Sequence, residues 1–152
     1  MTETPIQSPA QAVLLATFFV RNALCALDAS VVQEVIRLTS VTPVRHAPAE
    51  VCGVINLRGK IVTLLDTALI LGFDKSVPGP DSRIFIVEDR NEFVGLLVDR
   101  VAEVVEIEPG CEEPVPVNIP PAQARFFKSV CRAGGRLITL LKPGELLAEG
   151  RA

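Results

Sequence analysis

The sequence predicts a mainly β protein made of two related halves, forming small barrels or a sandwich around a shared core. Three observations carry that prediction. Short runs rich in Val, Leu and Ile alternate with turn residues at near-regular spacing along the 152 residues, the pattern of many short strands. The run Gly59-Lys60-Ile61-Val62-Thr63-Leu64-Leu65 is echoed by Gly135-Arg136-Leu137-Ile138-Thr139-Leu140-Leu141, an offset of 76 residues from Gly59 to Gly135. A second echo relates Val32-Gln33-Glu34-Val35-Ile36 to Val101-Ala102-Glu103-Val104-Val105, an offset of 69 from Glu34 to Glu103. The two offsets differ by seven residues, as expected if the second half carries a longer connection.

Taken in order, the first dozen residues are small, polar or Pro and read as a flexible lead-in over residues 1–12. Thr17–Val20 and Ala23–Leu27 form a hairpin turned at Arg21-Asn22. Ser30-Val31-Val32-Gln33 has capping-box spacing and predicts a short helical turn from Ser30 to Glu34. Val35 to Val44 then extends, stopped by Pro43 and Pro48. A second hairpin, Val51–Leu57 with Lys60–Leu65, turns at Arg58-Gly59. Asp66 caps a short helix, Thr67 to Leu71, closed by Gly72. The segment from Asp74 to Asp81, with Pro78-Gly79-Pro80, is a linker near the middle of the chain.

After the linker the order repeats. Arg83–Val87 and Glu92–Val98 form a hairpin across Asp89-Arg90-Asn91, followed by the Val101–Val105 run. The connection from Glu108 to Pro121 carries five prolines, which argues against regular ladder pairing there. Ala122 to Val130 reads as helix, Gly135 to Leu141 as the repeated strand, and Pro143 as the first residue of a last helix. This gives one domain over about 16–147, with halves at about 16–73 and 83–147 and a linker at about 74–82. Halves of about 65 residues are marginal alone and are expected to pack through apolar faces.

Composition excludes several classes. Hydrophobic residues make up 49% of the chain in short runs, none near the roughly 18 consecutive apolar residues of a membrane span. The net charge is −3 with cations spread singly, so no basic stripe suggests nucleic acid, and the seven Phe read as core. Of four cysteines, Cys25, Cys52 and Cys131 sit in apolar runs as buried reduced thiols. No Cys-x-x-Cys pair accompanies the single histidine, His46, so no metal site is expected. Absence of a signal peptide and of paired cysteine spacing point to the cytoplasm. Asp66 is explained by helix capping, and no nucleophile, base and metal constellation marks an enzyme.

Gly53-Val54-Ile55-Asn56-Leu57-Arg58-Gly59, followed by an aliphatic strand ending in Asp66, resembles the signature of the CheW-like chemotaxis coupling proteins. Val32–Val35, Thr42-Pro43-Val44, Val94–Asp99 and Arg136–Leu141 are similar to that family too, in the same order. The resemblance implies two five-stranded, Src-homology-type barrels on a common hydrophobic core, with a few short helices. It also implies a non-enzymatic adaptor without cofactor. Its partners would be the regulatory domain of a CheA-type histidine kinase and the cytoplasmic tip of a chemoreceptor, so that the chain is recruited to membrane receptor clusters. The chain departs from the family pattern at Thr63, near which a proline is common, and at Lys142, where Asp or Asn is typical. Service in flagellar chemotaxis and in a parallel chemosensory pathway both stay open.

The candidate partner-binding residues are Arg58, Glu34, Val32, Asn56, Leu57, Val98 and Val101, with Gly53, Gly59 and Asp66 in support. Arg58 on a stiff hairpin suits a partner carboxylate or helix end, against the plainer reading of a solvated turn arginine. Val32 and Glu34 match receptor-facing family positions, against core and solvated charge. Val98 and Val101 would line the same groove from the second half, against simple burial. Asn56 is expected to hold its own turn, Gly53 to allow close strand approach and Gly59 to turn the chain. The competing reading is a stand-alone regulatory barrel that binds a small ligand between its halves.

Overall fold

The computed structural model describes residues 13–108, 110–116 and 120–150; the lead-in expected over 1–12 lies outside them. Among the described residues, eleven strands form two sheets. They are β1 (Val13–Val20), β2 (Ala23–Asp28), β3 (Val32–Arg37), β4 (Val51–Leu57), β5 (Lys60–Asp66), β6 (Arg83–Asp89), β7 (Glu92–Val98), β8 (Arg100–Ile107), β9 (Glu112–Glu113), β10 (Phe127–Ala133) and β11 (Arg136–Leu141). The described residues also form three short helices, α1 (Thr67–Ile70), α2 (Pro121–Ala124) and α3 (Pro143–Gly150). The protein is mainly β, as the sequence predicts.

The hairpins fall where the turn residues place them. Arg21, Arg58, Arg90 and Asn91 all adopt positive φ, the left-handed geometry that tight hairpin turns need. Asp66 caps α1, its carboxylate accepting from the Ala68 amide at 3.1 Å. Pro143 opens α3. Two helix expectations fail. Only Ala29–Val31 forms a turn, of 3₁₀ type, and its cap is Asp28, which accepts from the Ser30 amide, in place of Ser30. From Val32 onward the chain is strand, because β3 pairs with β6 and β-branched residues fit a pleated, half-buried surface. The helix expected over 122–130 ends at Ala124; from Phe127 the chain pairs with β11 instead, a tertiary override of local propensity.

The strand orders are β8-β1-β2-β11-β10-β9 and β3-β6-β7-β5-β4. Apart from the two-residue β9, each sheet has the expected five strands. Their registers correspond residue by residue. Phe18 faces Val101 and Ala16 faces Val104 across a register shift, just as Val87 faces Val32 and Phe85 faces Val35. Leu140 lies beside Ala26 in a parallel pair, as Leu64 lies beside Gly95. Both offsets of the sequence repeat, 69 and 76, are therefore structural equivalences.

The sheets do not follow the division at 74–82. Residues 32–98 supply the whole five-stranded sheet, while β1 and β2 join β8 to β11. Each half of the repeat lends its first hairpin to the sheet whose other strands come from the other half. The parallel contacts β2–β11 and β5–β7 do this; local turn signals carry no information about them.

One apolar cluster joins the sheets. Phe18, Val20, Leu27 and Leu141 of the six-stranded sheet meet Leu65, Phe85, Val87, Leu96 and Val98 of the five-stranded one, with Leu146 and Leu147 of α3 alongside. The Phe18 and Phe85 rings lie 4.9 Å apart and tilted, a favourable aromatic geometry. Each sheet also has a private cluster, around Leu15, Ala26, Cys131 and Ile138 in one, and Ile55, Leu64, Ile84 and Ile86 in the other.

Cysteine usage differs from expectation. Cys131, read as a reduced thiol, forms a disulfide with Cys111, their Cα atoms 5.7 Å apart. The cause is the unexpected β9: Glu112 pairs with Cys131, which brings the neighbouring Cys111 alongside. Cys25 and Cys52 are free; burial pushes their thiols up to about 12 and about 11 respectively, with the Asp66 charge adding to the Cys52 shift.

Candidate functional site: the Arg58 turn

The β4–β5 turn is built to hold Arg58 out from the sheet. Arg58 at φ 50° and Gly59 at φ 86° give two left-handed residues in succession, the backbone of a turn that matches strand twist. Asn56 Oδ1 accepts from the Gly59 amide at 2.8 Å, clamping the turn from within. Gly53, at φ 148°, lies where a Cβ would run into the Thr42 carbonyl. That carbonyl accepts from the Val54 amide at 2.8 Å, and the Thr42 amide donates to the Val54 carbonyl at 2.9 Å. The close approach fastens the segment after β3 against β4, so both sides of the site are fixed.

Arg58 reaches across to Glu34 on β3, with both guanidinium ends donating to the two carboxylate oxygens, one of them at 3.3 Å. This fork-on-fork geometry is the directional form of an ion pair. Hydrogen bonding to Glu34, and then its charge, raise the Arg58 guanidinium above its ordinary pKa. The Arg58 side chain keeps 70% of its surface exposed, so solvent screens the pair and it adds little stability. The pair orients a cation. Beneath it lies a cavity of about 290 Å³ lined by Gln33, Glu34, Leu57, Arg58, Lys60, Ile86 and Phe93. Lys60 Nζ stands 4.1 Å from the Phe93 ring centre.

Arg58, Glu34 and Leu57 thus share one site, with Asn56 holding its turn. Val32 is half-buried against the shared core. Val98 does not belong: it is 1% exposed within that core, where β7 turns its side chain inward, so no partner can reach it. Val101 is 41% exposed yet sits on β8 of the other sheet, at the position equivalent to Val32. Asp66 acts at a distance. Its carboxylate accepts from the Ser76 amide at 2.9 Å and hydroxyl at 2.6 Å, pinning the segment after α1. Lys60, Phe93 and Ile86 escape the sequence reading. Lys60 follows Arg58-Gly59 directly and could have been suspected; Phe93 and Ile86 arrive only through the pairing of β7 and β6 with this sheet.

The family model of the CheW-like domain matches residues 15–151. The chain is 31% identical over 128 residues to a chemotaxis protein CheW of Rhizobium meliloti, covering 84% of this chain and 83% of that one. It is 30% identical over 133 residues to a chemotaxis protein CheW of Thermotoga maritima, covering 88% and 86%. Protein FrzA of Myxococcus xanthus is 29% identical over 127 residues, covering 79% and 76%. Among solved structures, the scaffolding protein TtCheW of Thermoanaerobacter tengcongensis superposes with a TM-score of 0.79 at 32% identity, covering 86% of this chain and 88% of that one. A fold of two packed β-sheets with this turn, matched along almost its whole length, places the chain in the CheW-like family of chemotaxis coupling adaptors.

Proposed function

We propose that this adaptor works without catalysis, docking the cytoplasmic helical tip of a chemoreceptor at the Arg58 turn while a CheA-type histidine kinase regulatory domain binds elsewhere on the barrels. The observation that carries the reading is the exposed Arg58–Glu34 pair on a turn clamped by Asn56. A fixed, mostly exposed guanidinium loses little side-chain entropy on binding and can exchange or share its carboxylate with a partner. A helical hairpin offers carboxylates and apolar side chains at helical spacing, which complements the cation above Leu57 and Phe93. Such interfaces cover about 800 Å² per partner and hinge on a few anchors. No helix among the described residues is long and apolar enough to cross a membrane, and the expected place of action is the cytoplasmic face of receptor clusters.

The experiment is co-purification of the full chain with a receptor tip fragment and a kinase regulatory domain, repeated with Arg58→Glu. The expected result is retention by the wild-type chain without any added metabolite, and loss of receptor retention in the variant with folding unchanged. Wild-type retention by Arg58→Glu would remove the turn from the interface.

A further inference from the structure

The locus of the Arg58 site exists twice, and its second copy is open. Through the two offsets, Glu103 stands where Glu34 does, Gly134 where Arg58 does, Arg136 where Lys60 does, and Thr17 where Ile86 does; the matching registers of the two sheets establish these equivalences. In the five-stranded sheet the arginine closes onto its glutamate over about 290 Å³. In the six-stranded sheet Gly134 has no side chain to close with, and a cleft of about 560 Å³ remains, lined in part by Thr17, Phe19, Arg100, Glu103 and Arg136.

The chemistry of the open copy is cationic. The Arg100 guanidinium lies 3.8 Å from the centre of the Phe19 ring and that of Arg136 lies 5.6 Å from it. The ring holds them without using their donors, because a guanidinium over an aromatic face keeps its N–H groups pointing outward from its edge. Among the described residues neither forms an ion pair. Arg100 has no cationic counterpart in the other copy, where Val31, in the 3₁₀ turn just before β3, occupies its position. Two guanidiniums and one carboxylate, Glu103, line the cleft, on a chain whose net charge is −3.

We propose that this cleft is a second protein-docking surface, and that it takes an acidic segment of a partner whose carboxylates bridge Arg100 and Arg136. The two cations on one ring present paired donors to a carboxylate, the arrangement in which arginine gains most from planar recognition. Glu103, three residues further along β8 than Arg100, sets selectivity by repelling a carboxylate that slides past Arg100 along that strand.

The test is a titration of the ¹⁵N-labelled full chain with a synthetic Asp/Glu-rich decapeptide, its Asn/Gln counterpart and a Lys-rich decapeptide, followed by amide shifts. The acidic peptide is expected to move Phe19, Arg100, Gly134 and Arg136 and to leave the Arg58 turn in place, with no response to the other two. Combined Arg100→Gln and Arg136→Gln should weaken binding about tenfold or more, whereas Glu103→Gln should tighten it about two- to fivefold, as expected for close charge pairs. Equal shifts with the Asn/Gln peptide, shifts centred on Arg58, a preference for the Lys-rich peptide, or weaker binding by Glu103→Gln would each overturn the proposal. All three substituted positions are exposed and both variants keep the Arg58 turn, so failure here leaves receptor retention at Arg58 standing.

Discussion

The two sheets share strand order, register and bulges, yet end in different turns. In the five-stranded sheet the β4–β5 turn is Arg58-Gly59, with the arginine tied to Glu34. In the six-stranded sheet the β10–β11 turn is Gly134-Gly135, both at positive φ, and Glu103 has no such partner among the described residues. The lesson is that the duplicated strands supply a scaffold, while single residues at the tips decide what each barrel end presents. A backbone that tolerates either Arg or Gly at one left-handed turn position leaves that position free to be chosen for binding.

The comparison can be broken most forcefully at the core both sheets share. Phe85→Ala removes the ring that meets Phe18 across the sheets and should cost about 3–5 kcal/mol. Chemical denaturation followed by probes in each sheet should show both transitions moving together; a sheet that kept its stability would mean the cores are independent.

The next largest effect separates equivalent bulges. Gly53 and Ser129 occupy matching register shifts in β4 and β10, but only Gly53 lies against the Thr42 carbonyl at positive φ. Gly53→Ser should therefore cost about 3 kcal/mol or more from overpacking and backbone strain. Ser129→Gly, which loses the 2.6 Å bond from its hydroxyl to Glu112, should cost about 1 kcal/mol. Thermal unfolding of the pair measures the asymmetry, and equal losses would contradict it.

A somewhat smaller asymmetry comes from the disulfide, which only the six-stranded sheet carries. Cys111 and Cys131 close a loop over a sequence separation of 20, for which the chain-entropy argument gives about 3 kcal/mol as an upper figure. Reduction, or Cys111→Ser, should lower stability by about 2–3 kcal/mol and release β9 with little change in the five-stranded sheet, as read by hydrogen exchange. Uniform loss of protection across both sheets would show that the tether supports the shared core.

How much of this was legible depended on the range of the signal. The hairpins, the Asp66 cap and the Pro143 start could be read because turn and cap residues act within a few positions. The repeat was visible for the same reason: Gly59 and Gly135 head runs that alternate alike. The exchange of hairpins between halves was not legible, since β2–β11 and β5–β7 are parallel contacts between distant segments. The helix expected up to Val130 gave way because Phe127 and its successors gain a ladder with β11, and a periodicity argument cannot weigh that pairing. Cys111–Cys131 spans a Pro-rich stretch with no spacing rule to join its ends. At the site, Asn56, Arg58 and Gly59 lay in one contiguous motif, and the resemblance of that motif and of Glu34 to the CheW-like family singled them out. Phe93 was missed because it reaches Lys60 only through the β5–β7 pairing, and Val98 was included because a continuous apolar run does not tell a groove wall from a strand buried on both faces, which β7 is from Val94 to Val98.

The most direct test makes one turn resemble the other. Arg58→Gly gives the β4–β5 turn the Gly-Gly sequence of its counterpart at a left-handed position that glycine adopts freely, so stability should shift by less than about 1 kcal/mol. Affinity for a receptor tip fragment, measured by isothermal titration calorimetry on the folded variant, is then expected to fall at least about tenfold. Undiminished affinity in a chain that has lost its Arg58–Glu34 pair would contradict the account.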